Sequence, residues 1–253
     1  MKELCYGCYA TRIYLPLSRL SRRLREMTRR IRGKSGGFLQ ATSLPQIPWT
    51  DLPGLGTPRV WEAGKANGNV RISELAILGA LAAGCGEGAN LFEIGTFDGR
   101  TALNFALNSP AGCRVHTLDR PPEQATAFAL AEGERQMVDK PQSGARYRAY
   151  ASINPAAVAK IHQLLGDSAT FDYTPYEASC SMVFVDGSHA YEYAMSDTRA
   201  AMKLVKPGGV IVWHDYGVWE GVTRALEELE RREHLGLRHI AGTSLVFWGG
   251  RRG

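Results

Sequence analysis

Chemistry in this chain is concentrated at the ends of short apolar runs. The first run ends Phe92-Glu93-Ile94-Gly95-Thr96-Phe97-Asp98-Gly99-Arg100-Thr101, and a second ends at Asp119, twenty residues beyond Gly99. Gly95 and Gly99 allow a sharp turn and let backbone N–H groups approach a ligand closely. An acidic side chain at the position of Asp119 accepts both hydroxyls of a ribose. The stretch is not the dinucleotide fingerprint, because Phe97 and Arg100 stand where glycines would be needed, and a pyrophosphate finds no bare backbone to lie on. The residues therefore suit a nucleoside without a pyrophosphate. The plain alternative makes Glu93 and Asp119 solvated strand-end acids and the glycines an ordinary turn.

Four further polar side chains follow two other apolar runs. Cys180-Ser-Met-Val-Phe-Val185 leads into Asp186-Gly-Ser-His189, and Val210-Ile-Val-Trp213 leads into His214-Asp215. If the two runs are neighbouring strands, all four side chains converge. An alcohol or phenol is a weak nucleophile until it loses its proton, and a neutral histidine with a pKa of roughly 6.5 can take it near neutral pH. The plain alternatives are that Asp186 is the N-cap of the helix that follows and that His189 is a strand-end histidine capping it. His116, His162, His234 and His239 show no convergent partners. Trp213, Trp219 and Trp248 read as core or pocket wall.

Such an arrangement needs a scaffold that gathers strand ends. The pattern predicts a helix over 73–83, a strand over 89–95, a helix over 99–108 and a strand over 113–119. It continues with a helical pattern over 123–139, a short helix over 155–162, a strand over 180–186 and a helix over 191–205 closed by Lys206-Pro-Gly-Gly209. A strand over 210–215, a helix over 219–232 and a hairpin of 237–241 with 244–248 complete it. Repeated strand–helix units imply a doubly wound α/β fold, mostly parallel, with an antiparallel pair at one edge. Ligands of such sheets sit beyond the carboxyl ends of the strands.

These motifs, together with Leu164-Leu-Gly-Asp-Ser-Ala-Thr-Phe-Asp172 and Leu204-Val-Lys-Pro-Gly-Gly209, resemble those of class I S-adenosylmethionine-dependent methyltransferases over about residues 73–248. S-adenosylmethionine is a nucleoside without a pyrophosphate. The resemblance implies a Rossmann-like sheet of seven strands, the last antiparallel. It places Glu93, Gly95 and Gly99 at the methionine end of the donor, with Thr96 and Thr101 of the same motif counted among the donor-binding residues. It places Asp119 on the ribose, and Asp167 with Ser168 beside the adenine.

Within that class the chain is most similar to metal-dependent O-methyltransferases of the macrocin and catechol type. The similarity implies Asp186, His214 and Asp215 as ligands of a divalent metal and His189 as the base. His214 departs from the carboxylate usual there, and imidazole is a softer ligand than magnesium prefers. Magnesium, manganese, iron or no metal all stay open. The function implied is methyl transfer to a hydroxyl of a small metabolite, such as a sugar or a glycosylated natural product. The alternatives are a metal-independent methyltransferase, with His189 acting alone, and a non-catalytic accessory protein.

The charge is divided unevenly. Residues 1–37 hold ten Lys/Arg against two Asp/Glu, and the other 216 residues hold twenty against 23. A body that is slightly acidic and lacks a basic stripe argues against a nucleic-acid substrate. Residues 16–32 read as a helix with Leu17, Leu20, Leu24, Met27 and Ile31 on one face and arginines over the rest. Such a helix docks on its own domain or a second subunit, or lies on an anionic membrane surface. An Arg-rich N-terminus also describes a transit peptide. The chain thus divides into a basic arm (1–34), a Pro/Gly-rich linker (35–70) and the methyltransferase domain (71–253). A homo-oligomer is expected. Five scattered cysteines suit a reducing cytoplasm better than a disulfide framework, with membrane-peripheral attachment through the arm as the alternative location. Cys5-Tyr-Gly-Cys8 reads as two free thiols.

Overall fold

The computed structural model describes residues 2–5, 41–62, 70–135 and 142–250. The predicted helix over 16–32 and most of the Cys5–Cys8 motif lie outside them. The described elements are, in chain order, β1 (Lys2–Cys5), β2 (Gln46–Ile47), β3 (Arg59–Glu62), α1 (Ile72–Ala83), β4 (Asn90–Ile94), α2 (Arg100–Asn108) and β5 (Arg114–Asp119). They continue with α3 (Ala145–Tyr150), α4 (Pro155–Val158), β6 (Ile161–Leu165), β7 (Cys180–Val185), α5 (Tyr191–Leu204), β8 (Val205–Trp213), α6 (Glu220–Glu233), β9 (Arg238–Ile240) and β10 (Val246–Gly249).

Eight strands form the main sheet in the order β2-β9-β10-β8-β7-β4-β5-β6, and β1 pairs with β3 separately. Strands β4 to β8 pair in parallel, whereas β10 runs antiparallel to both β8 and β9. Strand period explains why both faces are apolar. Leu91, Met182, Phe184 and Val212 face one layer, with Leu75 and Leu78 of α1 and Leu103 and Phe105 of α2. Phe92, Val183, Val185, Ile211 and Trp213 face the other, with Ala201 and Leu204 of α5 and Leu226 and Leu229 of α6. Each large side chain so buried contributes about 1.5–3 kcal/mol. No described helix is long and apolar enough to cross a membrane. Cys85, Cys113 and Cys180 are free thiols.

The structure differs from the sequence expectation in four places. The sheet has eight strands, because Gln46–Ile47 adds to β9 in parallel; within the same expected linker, Leu52, Val60 and Trp61 are buried. Residues 123–134 form turns and bends, with no helix, and the last part of the expected helix, 136–139, lies outside the described residues. There the Ala127 and Ala131 N–H groups donate to the carboxylates of Asp167 and Glu134, so side chains take the backbone donors a helix would need. His162 lies in β6, an edge strand whose residues are half-buried or exposed and lack clean alternation. Finally, β8 begins at Val205, so Lys206-Pro-Gly-Gly209 lies within the strand, next to a register irregularity opposite Cys180–Met182.

Candidate active site

A cleft with about 1050 Å³ of open space, its mouth included, lies beyond the carboxyl ends of β4, β5, β6, β7 and β8. Its wall includes Gly95, Thr96, Thr101, Asp119, Asp167, Ser168, Asp186, His189 and Asp215. Nine of the twelve residues singled out from the sequence thus share one cavity. Tight packing beneath it fixes two backbones. Gly95 has φ +102°, and a Cβ there would stand 2.0 Å from the Asp186 carbonyl oxygen, so only glycine lets the ends of β4 and β7 meet. Asp215 has φ 65° and Phe97 φ 48°, left-handed conformations that are costly for residues with a Cβ and are found where a site fixes them.

On the side of β4 to β6, hydroxyls and backbone N–H groups bond the acids Asp119 and Asp167, while Asp98 pairs with the Arg146 guanidinium at 2.7 Å. Ser143 Oγ donates to Asp119 Oδ2 at 2.6 Å. Asp167 Oδ2 accepts from the Ala127 N–H at 2.8 Å and the Tyr193 hydroxyl at 2.5 Å, and Oδ1 accepts from the Ala169 N–H at 2.9 Å. Thr96 Oγ1 lies 2.7 Å from Thr117 Oγ1 and accepts from Gln163 Nε2 at 2.9 Å. Glu93 and Gly99, expected to line the methionine end, are not among the residues of the wall. Glu93 is buried beneath it, bonded to the Thr117 hydroxyl. Burial first, and the nearby Asp186, Asp119 and Asp98 charges second, raise its pKa well above the usual carboxylate range. Gly99 is the left-handed N-cap of α2, and a Cβ there would stand 2.5 Å from the Tyr147 ring.

On the opposite side, two imidazoles sit among four carboxylates. His189 Nε2 lies 2.7 Å from Asp215 Oδ2, and Nδ1 lies 3.0 Å from Glu134 Oε1. Glu134 Oε1 also accepts the His189 backbone N–H at 2.8 Å, while Oε2 accepts from Ser188 Oγ at 3.0 Å. The ring stacks on Trp219 with centroids 4.3 Å apart. Burial opposes a charge on His189, but the bonds to Asp215 and Glu134 outweigh it and push the pKa up to about 9. The expectation of a neutral imidazole near 6.5 therefore does not hold. His214 Nδ1 lies 2.9 Å from Asp186 Oδ1 and 3.2 Å from Asp215 Oδ2, and Nε2 lies 3.4 Å from Glu74 Oε2. Burial likewise opposes its charge, and Asp215 and Asp186 override it, raising the pKa well above 6.5. Burial works against the charge of Asp215 as well, yet His214 and His189 hold its carboxyl well below the usual range.

Among the described residues, ligand atoms of Asp186, His189 and Asp215 lie within 4.8 Å of one another, the one grouping with the spacing of metal ligands. His214, expected as the third ligand, is absent from that set and from the wall of the main cleft; it lines a smaller adjoining cavity of about 300 Å³. The arrangement does not suit the expected magnesium or manganese. Asp215 Oδ2 already faces two ring nitrogens and Asp186 Oδ1 one, so imidazole nitrogens stand at the oxygens a cation would need.

Sequence reasoning missed Glu134, Glu74, Ser143 and Tyr193. Glu134 lies in a segment read as helix, and Glu74 read as a first-turn helix acid. Neither carried a signal, because their partners are 55 and 140 residues away. Tyr193 was inside the predicted helix over 191–205, where one-turn spacing from His189 offered the only pointer.

Comparison with known proteins adds family and fold. Residues 92–216 match the family described as a methyltransferase domain. The O-methyltransferase NovP is similar in structure, with 16% identity, 64% of this chain and 72% of that chain covered and a TM-score of 0.51. A protein from Corynebacterium glutamicum shows 15% identity over 78% of this chain and 83% of that one, also at 0.51. The O-methyltransferase TomG from Streptomyces achromogenes, solved in complex with SAM, shows 21% identity over 72% and 82%, at 0.48. The likenesses to NovP and the Corynebacterium protein are likenesses of fold. No curated protein matches the chain by sequence.

Proposed function

From the match of residues 92–216 to the methyltransferase domain family, we propose that the chain transfers a methyl group from S-adenosylmethionine to a hydroxyl oxygen of a small metabolite. One observation carries the reading. Donor-side acids Asp119 and Asp167 and the His189–Asp215 pair, up to 96 residues apart in sequence, line the same cleft.

Methyl transfer from a sulfonium is an in-line displacement, so the protein's main work is to hold nucleophile and methyl group in line. Asp119, beside Ser143, suits the ribose hydroxyls. Thr96 and Thr101 suit the methionine end, and Asp167 with Ser168 suits the adenine. The remaining volume, walled by Asp186, His189 and Asp215, is left for the acceptor. His189, held at Nδ1 by Glu134, takes the hydroxyl proton on Nε2 when its ring is singly protonated and the acceptor's hydroxyl replaces Asp215 Oδ2 at that nitrogen. No step is routed through a metal.

The test is calorimetric titration of S-adenosylmethionine, followed by an acceptor screen with labelled donor. Binding with about one donor per chain, and label transferred to a hydroxyl, are expected. Absence of donor binding by the folded chain would refute the proposal, as would label recovered on nitrogen or carbon.

A further inference from the structure

The residue that most departs from the resembled metal-dependent enzymes is His214, and its surroundings explain what it does. A carboxylate accepts hydrogen bonds and donates none when ionised. Asp186 Oδ1 and Asp215 Oδ2 lie 2.9 and 3.2 Å from Nδ1 on one side of the ring, and Glu74 Oε2 lies 3.4 Å from Nε2 on the other. With carboxylates facing both ring nitrogens, the ring is held from both edges. Its position is over-determined. Glu74 is fully buried on α1 and accepts from the Ser244 N–H at 2.7 Å, the Ser244 hydroxyl at 2.9 Å and the Arg71 N–H at 2.8 Å, and it pairs with the Arg71 guanidinium. The His214 backbone N–H is held by the Val185 carbonyl at 3.0 Å.

A magnesium ion on the same two aspartates would need oxygens at about 2.0–2.1 Å in a near-octahedral shell. His214 Nδ1 stands in that place, 2.9 and 3.2 Å from the two oxygens. We propose that the His214 ring, fixed by Glu74, takes the place of the divalent metal between Asp186 and Asp215. His214 does not line the main cleft, so it is a positioning residue: it bridges the two aspartates and holds Asp215 beside His189. The acceptor then needs no second oxygen to chelate an ion, and a lone hydroxyl suffices. This inference rests on the methyltransferase reading for its consequence, but its core claim concerns cation binding and can be measured without turnover.

The experiment is titration with Mn²⁺ followed by electron paramagnetic resonance, on the full chain and on His214→Asp, with donor affinity measured by calorimetry on the same samples. The wild-type chain should leave the aqueous Mn²⁺ signal unchanged. His214→Asp, which restores a carboxylate and removes the imidazole, should bind one Mn²⁺ at least tenfold more tightly. Adding Asp186→Asn to it should abolish that gain. Should His214→Asp fail to fold by circular dichroism, His214→Asn takes its place, offering an oxygen ligand without a charge. Stoichiometric Mn²⁺ binding by the wild type, lost in Asp186→Asn, would overturn the proposal. So would a folded His214→Asp, or its Asn substitute, that gains no Mn²⁺. A chain that binds no S-adenosylmethionine yet gains Mn²⁺ on His214→Asp would refute the methyltransferase reading and leave this one standing.

Discussion

The two sides of the cleft are built from the same kind of strand end by opposite electrostatic means. On the side of β4 to β6, carboxylates stand apart, and hydroxyls and backbone N–H groups supply much of their bonding, as Ser143 does for Asp119 and Ala127 and Ala169 do for Asp167. On the side of β7 and β8, Glu134, Asp186, Asp215 and Glu74 crowd around His189 and His214 within hydrogen-bond range. Isolated acids held by neutral donors keep their accepting capacity for a ligand's hydroxyls. A dense cluster of paired charges sets the proton affinity of one ring. On the function proposed above, the first side serves recognition and the second proton transfer.

If that division holds, substitutions on the two sides should separate affinity from turnover. The largest expected effect is that of His189→Ala. It should lower turnover by roughly 10²–10⁴-fold, with donor affinity retained, because general base catalysis contributes about that much. Steady-state kinetics with a true acceptor, beside calorimetry with the donor, read both numbers. Full turnover in that variant would mean that the cluster serves by positioning alone. The mirror image is Asp119→Ala. Loss of charge-assisted hydrogen bonds of about 1.5–3 kcal/mol each should weaken donor binding by roughly tenfold or more, while turnover at saturating donor changes little. Unchanged affinity would remove Asp119 from the ribose.

The same division decides what could be read in the sequence. Donor recognition is nearly local: Gly95, Thr96 and Thr101 lie within seven residues, and Asp119 follows at a spacing set by one helix and one strand. The proton-transfer side gathers segments around 74, 134, 186 and 215, so its pairs left no spacing to detect. Asp186, His189 and Asp215 were legible only because each lies within four residues of the end of an apolar strand. The raised pKa of His189 was not legible, since Glu134, one of its two carboxylate partners, comes from a segment that reads as helix. The resemblance placed Glu93 at the methionine end of the donor, whereas its side chain is buried against Thr117. The extra strand Gln46–Ile47 is two residues long, too short for any period to mark.

One residue joins the two sides. Gly95 ends β4 on the donor side and abuts the Asp186 carbonyl on the other. Gly95→Ala should therefore do what neither earlier substitution does, lowering donor affinity and turnover together. Overpacking of this kind costs about 1–3 kcal/mol of stability, measurable by denaturant unfolding. If only one of the two functions fell, the sides would be mechanically independent and the contact at Gly95 incidental.

The smallest effect is the most discriminating, because it moves the pH dependence rather than the rate constant. His189 must lose a proton before it can accept one, and its pKa is raised to about 9. The rate should accordingly rise about tenfold per pH unit through neutrality and level off near pH 9. Of the two carboxylates that raise it, Glu134 lies on Nδ1, away from the face assigned to the acceptor. Glu134→Gln keeps an oxygen to accept the His189 N–H groups but removes the negative charge that stabilises the imidazolium. The folded pKa should then fall back toward its ordinary value, and the ascending limb of the pH–rate profile should move to lower pH by about one unit, since a unit corresponds to about 1.4 kcal/mol of lost ion-pair stabilisation. Near pH 7 the variant has more of its base in the accepting form, although each base is weaker, so its rate there should fall far less than that of His189→Ala. A limb that stays in place would show that Glu134 only positions the ring, and that Asp215 alone sets its basicity.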